Sequence, residues 1–245
     1  MRIHRVYCKS VSRTNKKFEI DESQSRHLIK ALRLKEKNII DVFDGFGKSA
    51  RCEIIKLSKK ICEVKKIDEI KIDVLPKRLL TTIIPIIKNN NFNFMIQKLT
   101  EIGVNKLVIY KPDLIDQSVA KKDIKNILKK CTEIVISVCK QCGNNFLPLI
   151  EGSNNLKDAM TDICIENEVY LFDTESSNYF NQDEIDDKSS ITTITGPESG
   201  FSNTELKLLK IPNIKERYLG KNILRAETAP IYISSLIKNQ FGKIS

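Results

Sequence analysis

Two rhythms of apolar and polar residues divide the chain. Up to about residue 70 the apolar positions come in short runs, at Ile3–Cys8, Lys17–Ile20, Ile39–Phe43, Ala50–Leu57 and Ile61–Lys66. Their length and near-alternation predict strands. Turn residues separate them, notably Asp44-Gly45-Phe46-Gly47 and Ser58-Lys59-Lys60. Between the second and third runs, Ser25 to Leu34 takes helical spacing, with Leu28, Ala31 and Leu32 on one side. Short strands around one helix predict a small β-barrel.

From Leu79 the rhythm changes. Leu79–Ile87, Lys106–Tyr110, Val169–Phe172 and Ile191–Thr195 are buried-strand runs, Phe146–Ile150 reads as extended, and Glu216–Leu219 is a last short run. Helical segments alternate with them. Phe92, Met95, Ile96 and Leu99 fall at i, i+3, i+4 and i+7, with Gly103 placed as a C-cap. Further helices are expected over Lys121–Gln141, Leu156–Cys164 and Glu227–Phe241, the last with Pro230 in its first turn. Strands alternating with helices predict an α/β fold whose parallel sheet is covered on both faces. The polar run at 68–78, containing Pro76, is the expected linker, so the domains are expected at 1–72 and 73–245.

Composition sharpens the division. The 245 residues are 41% hydrophobic, which is globular, and no apolar run approaches a membrane span. The opening Met-Arg-Ile-His-Arg-Val-Tyr-Cys is charged at once and has no secretory apolar region, so a cytoplasmic protein is expected. The net charge is +10, unevenly placed. Residues 1–71 hold 19 Lys/Arg against 10 Asp/Glu, a net +9, whereas residues 72–245 hold 22 against 21, a net +1. A basic module on a neutral body is the arrangement of a nucleic-acid-binding domain attached to a catalytic one. The seven cysteines lie mostly within apolar runs and are expected as reduced thiols. Cys139-x-x-Cys142 is half of a zinc pattern; the only histidines, His4 and His27, belong to the other domain, so no metal site is expected.

The candidate chemistry sits late in the chain. Thr195-Gly196-Pro197-Glu198-Ser199-Gly200-Phe201-Ser202 and Leu219-Gly220-Lys221-Asn222-Ile223-Leu224-Arg225-Ala226-Glu227-Thr228 are turn-rich loops, each entered from an apolar run. Glycine lets a ligand approach the backbone, and Ser202 with Glu205 forms a capping-box pattern opening a helix. Free N–H groups at such a helix start seat a carboxylate or phosphate.

Together these loops resemble the cofactor-binding loops of the SPOUT methyltransferases, and in particular the RsmE group, which methylates N3 of a uridine in 16S ribosomal RNA. That group carries G-P-E-G-G-[FL]-S-x-x-E, matched at Gly196–Ser202 with Glu205, and L-G-x-R-I-L-R-x-E-T-A, matched at Leu219–Ala229. Ser199 stands where the pattern has glycine and Asn222 where it has arginine. Lys98-Leu99-Thr100-Glu101-Ile102-Gly103-Val104 matches the group's K-x-x-E-[LI]-G-V, and His27-Leu28, Leu32-Arg33 and Asp44-Gly45 match its N-terminal pattern. Lys140-Gln141-Cys142-Gly143-Asn144 falls where the group shows E-Q-[CS]-G-R, with the arginine missing.

The resemblance implies a trefoil-knotted SPOUT methyltransferase domain behind a PUA-like β-barrel, working as a homodimer. It implies S-adenosylmethionine lying across Phe172, Thr195, Gly196, Pro197, Glu198, Gly200, Leu219, Gly220, Ile223, Leu224, Arg225 and Thr228. The partner it implies is 16S ribosomal RNA in the small ribosomal subunit, with Arg2, Arg5, Arg33, Lys98 and Lys140 as candidate RNA contacts. Methyl transfer to a uracil nitrogen asks for a fixed cation beside the ring, and Arg225 is the candidate catalytic residue; the structural alternative pairs it with Glu198 or Glu227. A SPOUT enzyme with another RNA target, or a non-catalytic ribosome-assembly protein, are the competing readings. Calorimetry with the cofactor separates the last from both enzymes.

Overall fold

A computed structural model of the chain describes residues 3–58, 60–115, 121, 123–161, 167–186 and 188–243. The contacts divide it into two units, Met1–Leu75 with Ile136–Leu147, and Pro76–Val135 with Pro148–Ser245.

The first unit is a mixed sheet in the order β1-β3-β4-β5-β2, with β6 paired to β4. Its strands are β1 (His4–Tyr7), β2 (Lys17–Ile20), β3 (Ile39–Phe43), β4 (Lys48–Leu57), β5 (Cys62–Lys66) and β6 (Lys71–Ile72). β1 runs parallel to β3 and the other pairs are antiparallel. The alternation read from the sequence is what buries Val6, Phe18, Ile20, Ile40, Val42, Ile54 and Val64 on one side. Asp44 closes the β3–β4 hairpin, its Oδ1 accepting from Phe46 N at 2.7 Å and Lys48 N at 3.0 Å.

Two expectations shift here. The helix expected over 25–34 is α1 (Glu22–Arg26) followed by a π-helical turn at His27–Ala31. Ser25 is an interior helical residue, its hydroxyl donating to Ile20 O at 2.8 Å and accepting from Cys62 N at 3.1 Å. The helical geometry is spent by Leu32, and Arg33 turns the chain at φ 52°. The two-residue strand β6 lies in the expected linker; both its residues are exposed, so hydropathy carried no trace of it.

In the second unit all six strands are parallel, in the order β12-β10-β11-β7-β8-β9. They are β7 (Leu80–Pro85), β8 (Lys106–Tyr110), β9 (Leu149–Ser153), β10 (Glu168–Phe172), β11 (Ile191–Thr195) and β12 (Ile214–Arg217). β11 is buried at every position, which explains its unbroken apolar and threonine run. The helices are α2 (Asn89–Ile102), α3 (Ile124–Cys142), α4 (Leu156–Met160), α5 (Asn203–Leu209) and α6 (Thr228–Lys243). Gly103 ends α2 in the left-handed conformation, its N–H and that of Val104 closing on Thr100 O and Leu99 O. α3 begins in the second unit, while residues 136–142 pack with the first.

Strand β9 starts three residues later than the run 146–150, because Leu147 N bonds Gly45 O outside the sheet. The strand feeding the second glycine loop is Ile214–Arg217 instead of Glu216–Leu219, since Ile214 is the buried residue that pairs with Val169. The expected helices over 121–141 and 156–164 are described from Ile124 and up to Met160; Lys122 and residues 162–166 lie outside the described residues. No described helix is long and apolar enough to cross a membrane.

The chain lays β8 and β9 on one side of β7, then returns to lay β10, β11 and β12 on the other. This reversal between β7 and β11 is a topological switch point, and ligands of open parallel sheets bind beyond the strand C-termini at that place.

Candidate active site

The first glycine loop leaves β11 under tight control. The buried Tyr110 hydroxyl donates to Thr195 O at 3.1 Å, fixing the carbonyl from which the loop departs, and burial pushes the Tyr110 phenol well above its ordinary pKa. Gly200 stands at φ 73°, where a Cβ would be strained, and its N–H closes a turn onto Pro197 O at 3.0 Å. The capping box forms as its sequence spells it. Ser202 Oγ accepts from Glu205 N at 3.1 Å, and Glu205 Oε2 accepts from Ser202 N at 2.8 Å.

Three further bonds stitch this loop to residues 113–114, the segment after β8. Glu205 Oε1 accepts from Asp113 N at 3.2 Å, Ser202 Oγ donates to Asp113 Oδ2 at 2.6 Å, and Ser199 Oγ donates to Leu114 O at 2.7 Å. Glu205 is only 2% exposed, yet both of its oxygens are satisfied. The serine that departs from the glycine pattern thus holds a structural bond.

The second loop is held by backbone alone. Gly220 turns at φ 128°, and α6 opens with Thr228 N and Ala229 N bonded to Arg225 O at 2.8 and 3.0 Å. Among the described residues its side chains make no hydrogen bond or ion pair. Ile223 is 82% exposed, and Arg225 is exposed without an ion pair to Glu198 or Glu227. Glu227 is 8% exposed, and its Oε2 is buried with no hydrogen-bond partner.

The two loops meet. A cavity of 460 Å³ is lined by Phe172, Thr195, Gly196, Pro197, Glu198, Gly200, Ile223, Leu224 and Arg225, together with Asn91, Asp173, Thr174, Phe201, Ala226, Glu227 and Ala229. A second cavity of 210 Å³ shares Phe172, Asp173, Thr174, Ile223, Leu224 and Ala229 and adds Leu219, Gly220 and Arg217. Of the candidate cofactor residues, Thr228, exposed at the start of α6, alone lines neither. A Cβ at Gly196 would meet the Phe201 ring at 2.9 Å, so that ring closes the back of the loop. Phe172 is braced edge-on by Phe180 at 5.1 Å, and Arg217 is gripped by Glu184 through bonds of 2.9 and 2.6 Å, which raises its pKa.

Asn91, Asp173, Thr174 and Arg217 were missed from sequence. Asp173 ends an apolar strand run, a usable signal, but nothing local distinguishes Asn91 from its neighbours Asn89 and Asn90.

The candidate RNA contacts are scattered and differently occupied. Arg2 lies outside the described residues. Arg5 is a structural residue of the first unit. Its Nε donates to Asp41 Oδ2 at 2.8 Å, Nη1 to Cys139 O at 2.8 Å and Nη2 to Asn145 Oδ1, and its guanidinium stacks 4.5 Å from the Phe43 ring centre. Arg33 is exposed. Lys98 pairs with Glu101 at 2.7 Å, one turn along α2. Lys140 donates to Gln24 Oε1 at 3.1 Å, and burial lowers its pKa. Of the cysteines, Cys142 is exposed, and a bond from Cys139 lowers its thiol to about 6.

The RNA methyltransferase domain family matches residues 75–238, and the RNA methyltransferase PUA domain family matches residues 20–74. A ribosomal RNA small subunit methyltransferase E of Rickettsia conorii is 29% identical over 237 residues, covering 94% of this chain and 93% of its own. The protein of the same name from Bacillus subtilis is 26% identical, with 91% and 90% covered. Among solved structures, that of Neisseria gonorrhoeae ribosomal RNA small subunit methyltransferase E bound to S-adenosyl methionine shares the fold. Its TM-score is 0.83 at 24% identity, covering 97% of this chain and 98% of that one. A predicted RNA methyltransferase of Thermotoga maritima gives a TM-score of 0.75 at 26% identity, covering 98% and 100%. With a PUA domain ahead of a parallel-sheet domain whose two late glycine loops share one cavity, the chain belongs to the RNA methyltransferase family, in its ribosomal RNA small subunit methyltransferase E group.

Proposed function

We propose that the protein methylates N3 of a uridine in 16S ribosomal RNA, using S-adenosylmethionine held between the two glycine loops. The observation that carries this is the convergence of both loops on one cavity of 460 Å³, within the range of small-molecule sites. The residues present fit the cofactor. Thr195 Oγ1 and Glu227 Oε2 are buried polar atoms without partners, and both residues line that cavity, so a ligand with donors and acceptors completes them. Phe172, Leu219, Gly220 and Leu224 line the smaller cavity and are suited to a flat heterocycle. When bound, the cofactor supplies a methyl group already activated on a sulfonium.

The chain's own task is positioning and charge. Uracil N3 is nucleophilic only without its proton. The guanidinium of Arg225 stabilises the anion that develops there. Its lack of an ion pair among the described residues leaves the guanidinium available for that role. Residues 1–72 form the RNA-binding domain in this reading, with Arg33 as a contact, and 73–245 the catalytic one, knotted through its late loops as in the family. A homodimer in the cytoplasm, acting on the small subunit, follows from the same group.

Purified protein, methyl-labelled cofactor and small ribosomal subunits from cells lacking the gene test this directly. Label appearing as one N3-methyluridine in 16S ribosomal RNA is the expected result; label on a ribose or purine, or none, refutes it.

A further inference from the structure

The least comfortable group in the second unit is the Glu227 side chain. It is 8% exposed, its Oε2 is sealed from solvent, and no described residue donates to it. A buried carboxylate oxygen without a partner is unfavourable, so its retention calls for a donor that the described residues do not supply. The residue lines the larger cavity, as do Gly196, Pro197 and Glu198.

We propose that Glu227 is the seat of the α-ammonium of the S-adenosylmethionine amino-acid tail, which makes it the residue that distinguishes the intact cofactor from neutral nucleosides. This inference rests on the proposed use of that cofactor. With the purine in the smaller cavity, walled by Tyr218, Leu219, Gly220 and Leu224, the tail would lie in the larger one. Of the charged groups on that tail, the carboxylate needs donors and the ammonium needs acceptors. A carboxylate offers only acceptors, so it selects the ammonium, whose three N–H groups carry full charge. An ammonium adds to these bonds the attraction of a full opposite charge, which a ribose hydroxyl donating to the same carboxylate lacks. Two other carboxylates line the cavity. Asp173 has its Oδ1 committed to Glu175 N at 3.2 Å, and Glu198 sits on the first loop. Glu227 alone of the three is both buried and unpartnered.

The test is a set of calorimetric titrations. S-adenosylhomocysteine and 5′-methylthioadenosine, which share the adenosine and an uncharged sulfur and differ in the amino-acid tail, are each titrated into the native protein and into Glu227→Gln. The variant is expected to lose about tenfold or more in affinity for S-adenosylhomocysteine while binding the tailless nucleoside within about twofold of the native protein. Retained nucleoside binding also shows that the variant is folded. Equal losses for both ligands, or no loss for either, overturn the proposal, the first by assigning the carboxylate to the ribose or to the loop itself. Should the variant fail to fold, the native protein decides: S-adenosylhomocysteine is expected to bind about tenfold or more tightly than its desamino analogue, and equal affinities overturn the assignment. A native protein that binds none of these ligands refutes the cofactor reading instead.

Discussion

The two glycine loops make one cavity by opposite means. The first is cross-linked to its surroundings: Tyr110, Ser199, Ser202, Asp113 and Glu205 fix it through six hydrogen bonds, and its buried carboxylate is fully used. The second offers Arg225, exposed, and Glu227, buried, with neither paired among the described residues. One wall is therefore preformed, and the other is completed by what binds. The contrast suits differential binding, in which rigid groups place the cofactor while free charges meet the groups that react.

The largest effect is expected on the free wall. Arg225→Ala should cut methylation of small subunits by about 100-fold or more, the loss typical of one preorganised charge donor, with cofactor affinity kept within about threefold. Single-turnover rates and calorimetry check this, and unchanged turnover would mean that the arginine is only a surface residue. On the stitched wall the effect should fall on stability. Glu205→Ala strands the N–H groups of Ser202 and Asp113 and opens a buried site, costing about 3 kcal/mol in denaturant unfolding. Ser199→Gly removes one bond to Leu114 O and adds backbone freedom, so about 1 kcal/mol is expected, with turnover preserved. A Glu205→Ala protein as stable as the native one would erase the contrast between the walls.

The smallest effect calibrates the others. Cys142 has a depressed thiol pKa, so its thiolate contributes stability that is present above the ordinary thiol range near 9 and lost as pH falls through about 6. Native-state alkylation of Cys142 should therefore be flat from pH 7 to 8 and decline around 6, while Cys52 and Cys131, buried and pushed up to about 12, stay unlabelled. Label at Cys131 in Glu205→Ala would report opening beyond the first loop.

What could be read from sequence follows the range of each interaction. The capping box of Ser202 and Glu205 was legible because its partners are three residues apart, and Gly103 as a helix end for the same reason. The bonds from Ser199 and Glu205 to residues 113–114 join positions more than 80 apart, so Ser199 looked like a simple departure from a pattern. Asn91 reaches the cavity only because β7 lies beside β11, an adjacency that periodicity does not encode. The bonds of Arg5 were illegible for a related reason. A basic residue in a basic segment suggests an RNA contact, but residues 139–145 return to the first unit and absorb its donors. Parallel-strand character was legible, since buried runs such as Ile191–Thr195 need no alternation, whereas the order of the strands was not.

Two late loops that form one cofactor pocket, one wall rigid beforehand and the other ordered by the ligand, should differ in amide hydrogen exchange with and without S-adenosylmethionine. A large gain in protection is expected across 219–227, with little change across 202–206, already protected in the free protein. Protection gained elsewhere in the chain, or no change at either loop at saturating cofactor, would contradict it.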